Sequence, residues 1–373
     1  MKIRTTLLGL IAAGLVQAAA AGDEPRPTPP SAPWRGVHIM APGHEGVALL
    51  SRAIREGLAP LGVNVLVLEI DHGYRFASHP DLGSRDGLTR DDARALAALC
   101  KAHGIRLIPQ FNCLGHQSWK RDKLPLLAKH PEFNETPDIS KVKNLYCLSW
   151  CPLHPGVNPI VFALIDELIE AFGADAFHVG MDEVFLIASD QCPRCKGKDP
   201  AELFARAVND LHEHIVGQKK LTMLMWADRF LDGKATGYGK WEASENGTFP
   251  AIDRVPKDII MCDWHYELRK SYPSVHLFQE KGFRVWPSTW KNQAAAVAFR
   301  DDAQRGASER MLGHLCTTWE GSDVVCRALL GERAGTRGNV QAIVDAMKAC
   351  LTAKPAPEKG KPATAPAISG RPG

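Results

Sequence analysis

The run His178-Val179-Gly180-Met181-Asp182-Glu183 closes an apolar, β-rich stretch on two adjacent carboxylates. In an extended strand successive side chains point to opposite faces, so Asp182 and Glu183 can serve one pocket only where the strand gives way to a loop. That geometry puts His178, Gly180 and Asp182 on one face, Phe177, Val179 and Met181 on the other, and Glu183 at the turning point. Two carboxylates held together cannot ionise independently, because the charge of one raises the pKa of the other. A raised pKa is what a general acid needs at neutral pH. The plainer reading of such a pair is the start of the next helix, with both acids complementing its dipole.

Positioning this pair takes a scaffold, and the chain offers eight β-rich runs: 36–41, 63–71, 105–112, 176–184, 221–228, 259–266, 283–290 and 313–319. Most are apolar on both faces, as parallel strands covered by helices are. Helical patterns fall between them at 46–60, 89–103, 158–172, 200–216, 267–281, 291–306 and 339–351, while 232–258 reads mostly as loop. The alternation predicts an α/β fold, a single (β/α)8 TIM barrel over residues 34–352. An open doubly wound sheet is the alternative, but no Gly-rich phosphate fingerprint follows the first strand.

In such a barrel the active site lies at the carboxyl ends of the strands. Those ends supply Glu69 and Asp71, Asn112 and His116, Asp182 and Glu183, Trp226 and Asp228, Trp264 and Tyr266, Trp286 and Trp290, and Trp319 and Glu320. Five of the nine tryptophans fall at the ends of strands five to eight. Indoles ringed around acids suit a sugar pocket, since pyranose C–H faces lie on aromatic faces while hydroxyls bond to carboxylates.

Residues 1–21 place Lys2 and Arg4 before an apolar stretch and small residues at Ala19-Ala20-Ala21, the pattern of a secretory signal peptide. The expected destination is the periplasm or the extracellular space. Residues 22–33 and the Pro/Ala/Gly/Lys-rich tail 353–373 read as disordered flanks, because neither offers apolar residues to bury. A net charge of +3 with interspersed signs argues against nucleic acid as a partner. No apolar stretch is long enough for a membrane span in the mature chain, and nothing signals a cofactor. Ten cysteines in an exported chain make disulfides the default. Cys147-x-x-x-Cys151 and Cys192-x-x-Cys195 could instead hold a structural zinc ion. Cys100, Cys113, Cys262, Cys316 and Cys326 lie in apolar runs and read as buried small hydrophobes.

From Trp34 to Val325 the chain resembles glycoside hydrolase family 20, the β-N-acetylhexosaminidases. The most specific likeness is His178 to Glu183, similar to the family's His-x-Gly-Gly-Asp-Glu; Arg35-Gly36, Asp71 to Arg75, Pro109 to His116, Trp226 with Asp228, Trp264 and Trp319 support it. The resemblance implies a glycan substrate and retaining, substrate-assisted hydrolysis, in which the acetamido oxygen of the sugar attacks the anomeric carbon. It implies catalytic roles for Asp182, which polarises the acetamido group, and Glu183, which protonates the leaving oxygen. His116 and Asp71 would form a relay behind Glu183. Arg35, His178, Trp226, Asp228, Trp264, Tyr266, Trp290, Trp319 and Glu320 would bind the sugar. Taken singly, His116 reads as a loop histidine, Arg35 as a salt bridge on the barrel floor and Asp71 as a cap or turn residue.

Several positions depart from the family pattern. Met181 replaces the second Gly, which would put a bulky side chain beside the acids, and Gln110 and Asn112 stand where acids are usual. Strand seven lacks an obvious match for the acetamido-contacting tyrosine, and Glu320 follows Trp319 directly. Two other functions fit the same residues: a glycosidase using Glu183 with Glu320 or Asp228 on a sugar without the acetamido group, and a barrel that binds glycan without turnover.

Overall fold

Eight parallel strands curl into a closed barrel in the computed structural model, which describes residues 33–332 and 338–352. They are β1 (Trp34–Met40), β2 (Val65–Glu69), β3 (Arg106–Cys113), β4 (Ala176–Gly180), β5 (Thr222–Trp226), β6 (Ile260–Cys262), β7 (Arg284–Val285 and Ser288–Thr289) and β8 (Gly313–Cys316). Each pairs in parallel with its neighbour in chain order, and β8 returns to β1. Strand β7 is split because Pro287 has no N–H to give the ladder. It still closes the barrel: Trp286 N donates to Met261 O (2.8 Å) on one side and Leu315 N to Pro287 O (2.9 Å) on the other.

The helices that alternate with these strands are α1 (Val47–Ala53), α2 (Arg90–Ala102), α3 (Val157–Phe172), α4 (Pro200–His212), α5 (Pro273–Glu280), α6 (Gln293–Arg305), α7 (Ser322–Leu329) and α8 (Gly338–Leu351), with a further short helix at Pro125–Lys129. Local chemistry fixes their starts. Thr89 and Asp92 form a reciprocal capping box at α2, and Asp199 caps α4 just before Pro200. The expected loop at 232–258 holds only short turns of helix, Gly233–Thr236, Gly239–Glu242 and Phe249–Asp253. Helix α7 has no counterpart among the expected elements; eight residues leave little room for a period to show. The expected signal peptide at 1–21, the linker at 22–33 apart from its last residue, and the tail at 353–373 lie outside the described residues. No helix among the described residues is long and apolar enough to cross a membrane.

Two separate cores follow from strand alternation. Leu66, Leu68, Phe111, Phe177, Val179, Met223 and Met225 face the helical layer. Val65, Val67, Ile108, Ala176, Leu224 and Ile260 fill the barrel interior together with Trp34 and Trp286. Further along the same inward rows the residues turn polar: His38 follows Trp34, Glu69 follows Val67, Gln110 follows Ile108 and His178 follows Ala176. The floor is therefore dry and the mouth is polar.

Gly36 makes room for that floor. A Cβ there would lie 2.0 Å from Trp286 Cζ2, and Trp286 is fully buried and packed edge-on against Trp34 at 5.1 Å. Gly36→Ala should therefore cost about 1–3 kcal/mol through overpacking, read as a lower urea midpoint. An unchanged midpoint would show that the Trp286 ring does not fill the axis.

Candidate active site

At the end of β4 the backbone leaves the strand through two left-handed residues, Gly180 (φ +66°) and Met181 (φ +71°), and enters the loop through a third, Glu183 (φ +49°). Gly180 is needed twice over, since a Cβ there would also lie 2.1 Å from Asn112 Oδ1. The turn delivers Asp182 and Glu183 to one imidazole. His116 Nε2 lies 3.3 Å from Asp182 Oδ2 and 3.3 Å from Glu183 Oε2, shared between them with neither in line for a full hydrogen bond. Burial would lower the His116 pKa, but the Asp182 charge and the contacts with both acids outweigh it and hold the ring well above its usual range. Burial likewise pushes Asp182 up, and the facing imidazolium more than reverses that, leaving its pKa lowered. The pair is thus a triad of two acids and a cation, where the sequence suggested mutual repulsion.

Asp228 fixes the position of Glu183. Its Oδ2 accepts from the Glu183 backbone N–H (3.0 Å) and from Arg229 Nε (2.6 Å), and its Oδ1 accepts from Trp264 Nε1 (3.2 Å). The carboxyl is fully buried, and burial, opposed by Arg229, raises its pKa to about 6. With three N–H donors on its oxygens, Asp228, expected from the sequence to bind the sugar, positions Glu183.

Of the aromatic residues named from the strand ends, Trp226, Trp264, Tyr266, Trp290 and Trp319 gather, while Trp286 lies in the barrel floor against Trp34. Trp226 packs against His178 (4.6 Å between centroids) and Trp319 (5.6 Å), and Trp264 against Tyr266 (4.9 Å), which in turn meets Trp290 (5.5 Å). Trp319 Nε1 donates to Tyr266 Oη at 2.7 Å. His178 is neutral: burial, then His38, lowers its pKa to about 3, and its Nδ1 accepts the Gly180 N–H at 3.1 Å. Glu320 sits half-buried next to Trp319.

Three expectations need correcting. Arg35 is exposed at the start of β1, its backbone N–H bound to Asn64 Oδ1 (2.7 Å) and its guanidinium against Gly62, so it lies at the opposite end of the barrel from the acids. Parallel strands put strand starts on the floor, and the Arg-Gly pair occupies a strand start. Met181 sits in the core beneath the helical layer, so its bulk does not narrow the pocket. Among the described residues no hydrogen bond joins Asp71 to His116, although the His116 charge acts to lower the Asp71 pKa; Asp71 accepts from Asn112 N (2.7 Å) and Asn112 Nδ2 (3.1 Å). Asn112 and Gln110 also donate to Glu69, at 3.2 and 2.7 Å, so the amides here serve as hydrogen-bond donors to two acids.

Sequence reasoning missed an aromatic rim. Tyr146 approaches His116 (5.9 Å), Trp119 (5.3 Å), Phe185 (5.8 Å) and Trp241 (5.0 Å). Trp119 and Trp241 are 56% and 43% exposed, an unusual position for indoles with nothing to cover them. Burial, followed by the Glu183 charge, raises the Tyr146 pKa. These residues come from long loops, where strand-end counting does not look. The exposed Trp119, in a hairpin of polar residues, was the available signal.

The charged groups predict two separable pH windows. Burial, then Glu69, raises the Asp71 pKa from 3.8 to about 7, so its share of stability is full at low pH and is lost as pH rises through that window. The raised His116 contributes fully below 6.5 and loses its contribution as pH climbs through its elevated value. Thermal melts should therefore show Asp71→Asn flattening the slope between pH 4 and 7 and His116→Asn flattening the alkaline fall. Slopes unchanged in both variants would contradict these assignments.

The model for the glycosyl hydrolase family 20 catalytic domain matches residues 72–322. A β-hexosaminidase from Emericella nidulans is 24% identical over 305 residues, covering 69% of this chain and 43% of the relative. One from Akkermansia muciniphila is 25% identical over 188 residues, covering 45% and 37%. The chain thus spans less than half the length of these curated relatives. Among solved structures, β-N-acetylhexosaminidase from Bacteroides fragilis superposes with a TM-score of 0.57 at 14% identity, covering 84% of this chain and 66% of that one. Chitobiase from Flavobacterium johnsoniae gives 0.56 at 16% identity, covering 85% and 51%. At such identities the structural likeness is one of fold. With two thirds of its length matched by the family model, the chain belongs to glycosyl hydrolase family 20.

Proposed function

We propose that this chain is an exported glycosidase that removes terminal GlcNAc or GalNAc from glycans by substrate-assisted, retaining hydrolysis. The observation that carries the reading is Asp182 Oδ1, which is buried beside Glu183 and has no protein partner. A buried acceptor left unpaired costs about 1–3 kcal/mol, and an acetamido N–H from the substrate would satisfy it. Asp182 then holds the acetamido group so that its carbonyl oxygen attacks the anomeric carbon, and its charge stabilises the oxazolinium that forms. Glu183 gives its proton to the departing oxygen. It then takes one from the water that opens the ring. His116 keeps Asp182 ionised throughout.

His178 Nε2, Trp226 Nε1 and Thr318 Oγ1 are likewise buried without protein partners near this mouth, polar atoms that sugar hydroxyls can pair. Pairing Glu183 with Asp228 as two protein carboxylates is disfavoured because both Asp228 oxygens already accept N–H donors from the protein. The aromatic rim of Trp119, Tyr146 and Trp241 would carry the leaving part of the glycan, since it adjoins His116 and Glu183. Export rests on the leader-like residues 1–21.

Glu183→Gln should lower kcat on aryl N-acetylglucosaminides by about 10²–10⁴ with little change in KM, because the acid acts in the transition state; unchanged turnover would remove Glu183 from the mechanism. Asp182→Asn should slow acetamido substrates by about 10²–10³, and equal loss on a 2-hydroxy analogue would contradict its role. The double variant Trp119→Ala/Trp241→Ala should raise KM for oligosaccharides while sparing the glycosyl fluoride, which has no aglycone. Equal effects on both would deny the rim a substrate role.

A further inference from the structure

Behind the acids, two loops meet at a cluster that the hydrolysis does not use. The loop between β3 and α3 folds back on itself at the antiparallel bridge Asn134↔Trp150, which sets Glu135 beside Cys151. The loop between β4 and α4 turns tightly at Cys192-Pro193-Arg194-Cys195, with Lys196 N bonded to Cys192 O (3.0 Å) and Lys198 N to Cys195 O (3.0 Å). The turn brings both thiols to the same point. Cys151 Sγ lies 3.4 Å from Cys195 Sγ and 3.4 Å from Cys192 Sγ, and one ligand atom from each of Glu135, Cys151, Cys192 and Cys195 falls within 4.8 Å of all the others.

We infer that Glu135, Cys151, Cys192 and Cys195 form a structural zinc site, with three thiolates and one carboxylate as ligands. Tetrahedral zinc with Zn–S bonds near 2.3 Å needs sulfurs roughly 3.8 Å apart, inside the span observed. A disulfide needs about 2.05 Å, and three mutually adjacent thiols cannot pair without leaving one over. The carboxylate supplies independent support. Glu135 is 0% exposed; its Oε1 accepts from Ser189 N (2.9 Å) while its Oε2 has no partner. A fully buried carboxylate oxygen with no hydrogen-bond partner, set against three thiols, is the fourth donor atom a tetrahedral metal ion needs, and among the described residues no lysine or arginine is paired with it. The sequence had grouped Cys147 with these thiols; Cys147 instead points at the Glu183 carbonyl, 3.5 Å from its oxygen.

The site would tie together the two loops that carry the reactive groups: His116 and Tyr146 on one, Asp182 and Glu183 on the other. Zinc would hold these walls in register, and ligation would also protect three close thiols from oxidation outside the cytoplasm.

The test is metal analysis of the full chain purified in micromolar zinc and then desalted, paired with cobalt(II) loading of the metal-free protein. One zinc per chain is expected, together with the visible d–d bands and near-ultraviolet thiolate charge-transfer of tetrahedral cobalt. Cys192→Ser/Cys195→Ser should lose the metal, Glu135→Gln should retain it less firmly against a chelator, and Glu183→Gln should keep it. Substoichiometric zinc in the wild type, cobalt spectra without thiolate charge-transfer, or full zinc in the double variant would each overturn the assignment. So would an intact mass showing a disulfide from Cys151 to Cys192 or Cys195. If the double variant fails to fold, the wild-type cobalt spectrum decides alone.

Discussion

The whole site depends on one imidazole placed between two carboxyl groups. Half-buried His116, its pKa held well above the usual range, faces Asp182 and Glu183 at equal distance and keeps the Asp182 pKa low despite that acid's burial. Holding that arrangement takes backbone that most residues avoid. Asp71, Leu114, His116, Met181, Glu183 and Trp319 all have positive φ without being glycine, at about 1–3 kcal/mol each. Such strain persists only where surrounding packing over-determines it. Met181 buried under the helices and the Glu183 N–H locked onto Asp228 are two of the contacts that do so.

The barrel supplies what those contacts need. Its floor is filled by indoles and aliphatic chains, which excludes water below the site and gives the polar layer above it a firm base. In that layer Glu69 accepts from His38, Gln110 and Asn112. Two amides and a histidine thus surround a carboxyl without adding negative charge, and Asp71 is held by the same asparagine. Replacing acids by amides at 110 and 112 lowers the charge around the reactive pair while keeping the hydrogen-bond lattice intact.

Much of the fold was legible in the sequence because parallel strands buried on both faces leave long apolar runs, and all eight appear within a few residues of where those runs predict. Their carboxyl ends were legible too: Trp226, Trp264, Tyr266, Trp290 and Trp319 converge as strand alternation requires. What the pattern could not supply was partner identity. Nothing local says that Asp228 will accept a backbone N–H from Glu183 or that Asp71 will take its donors from Asn112. These are long-range choices set by which loop folds over which. The aromatic rim and Glu135 escaped for the same reason, since both sit in loops with no period to read.

The central claim is that Asp182 grips a substrate acetamido group within reach of Glu183. Inhibition by a GlcNAc-thiazoline, a stable mimic of the oxazolinium, tests it most directly. Competitive inhibition of the wild-type chain is expected, with affinity at least about tenfold weaker in Asp182→Asn, the loss expected when a charge-assisted hydrogen bond of about 1.5–3 kcal/mol is weakened. A thiazoline that neither inhibits nor binds, or that binds equally to both proteins, would contradict it.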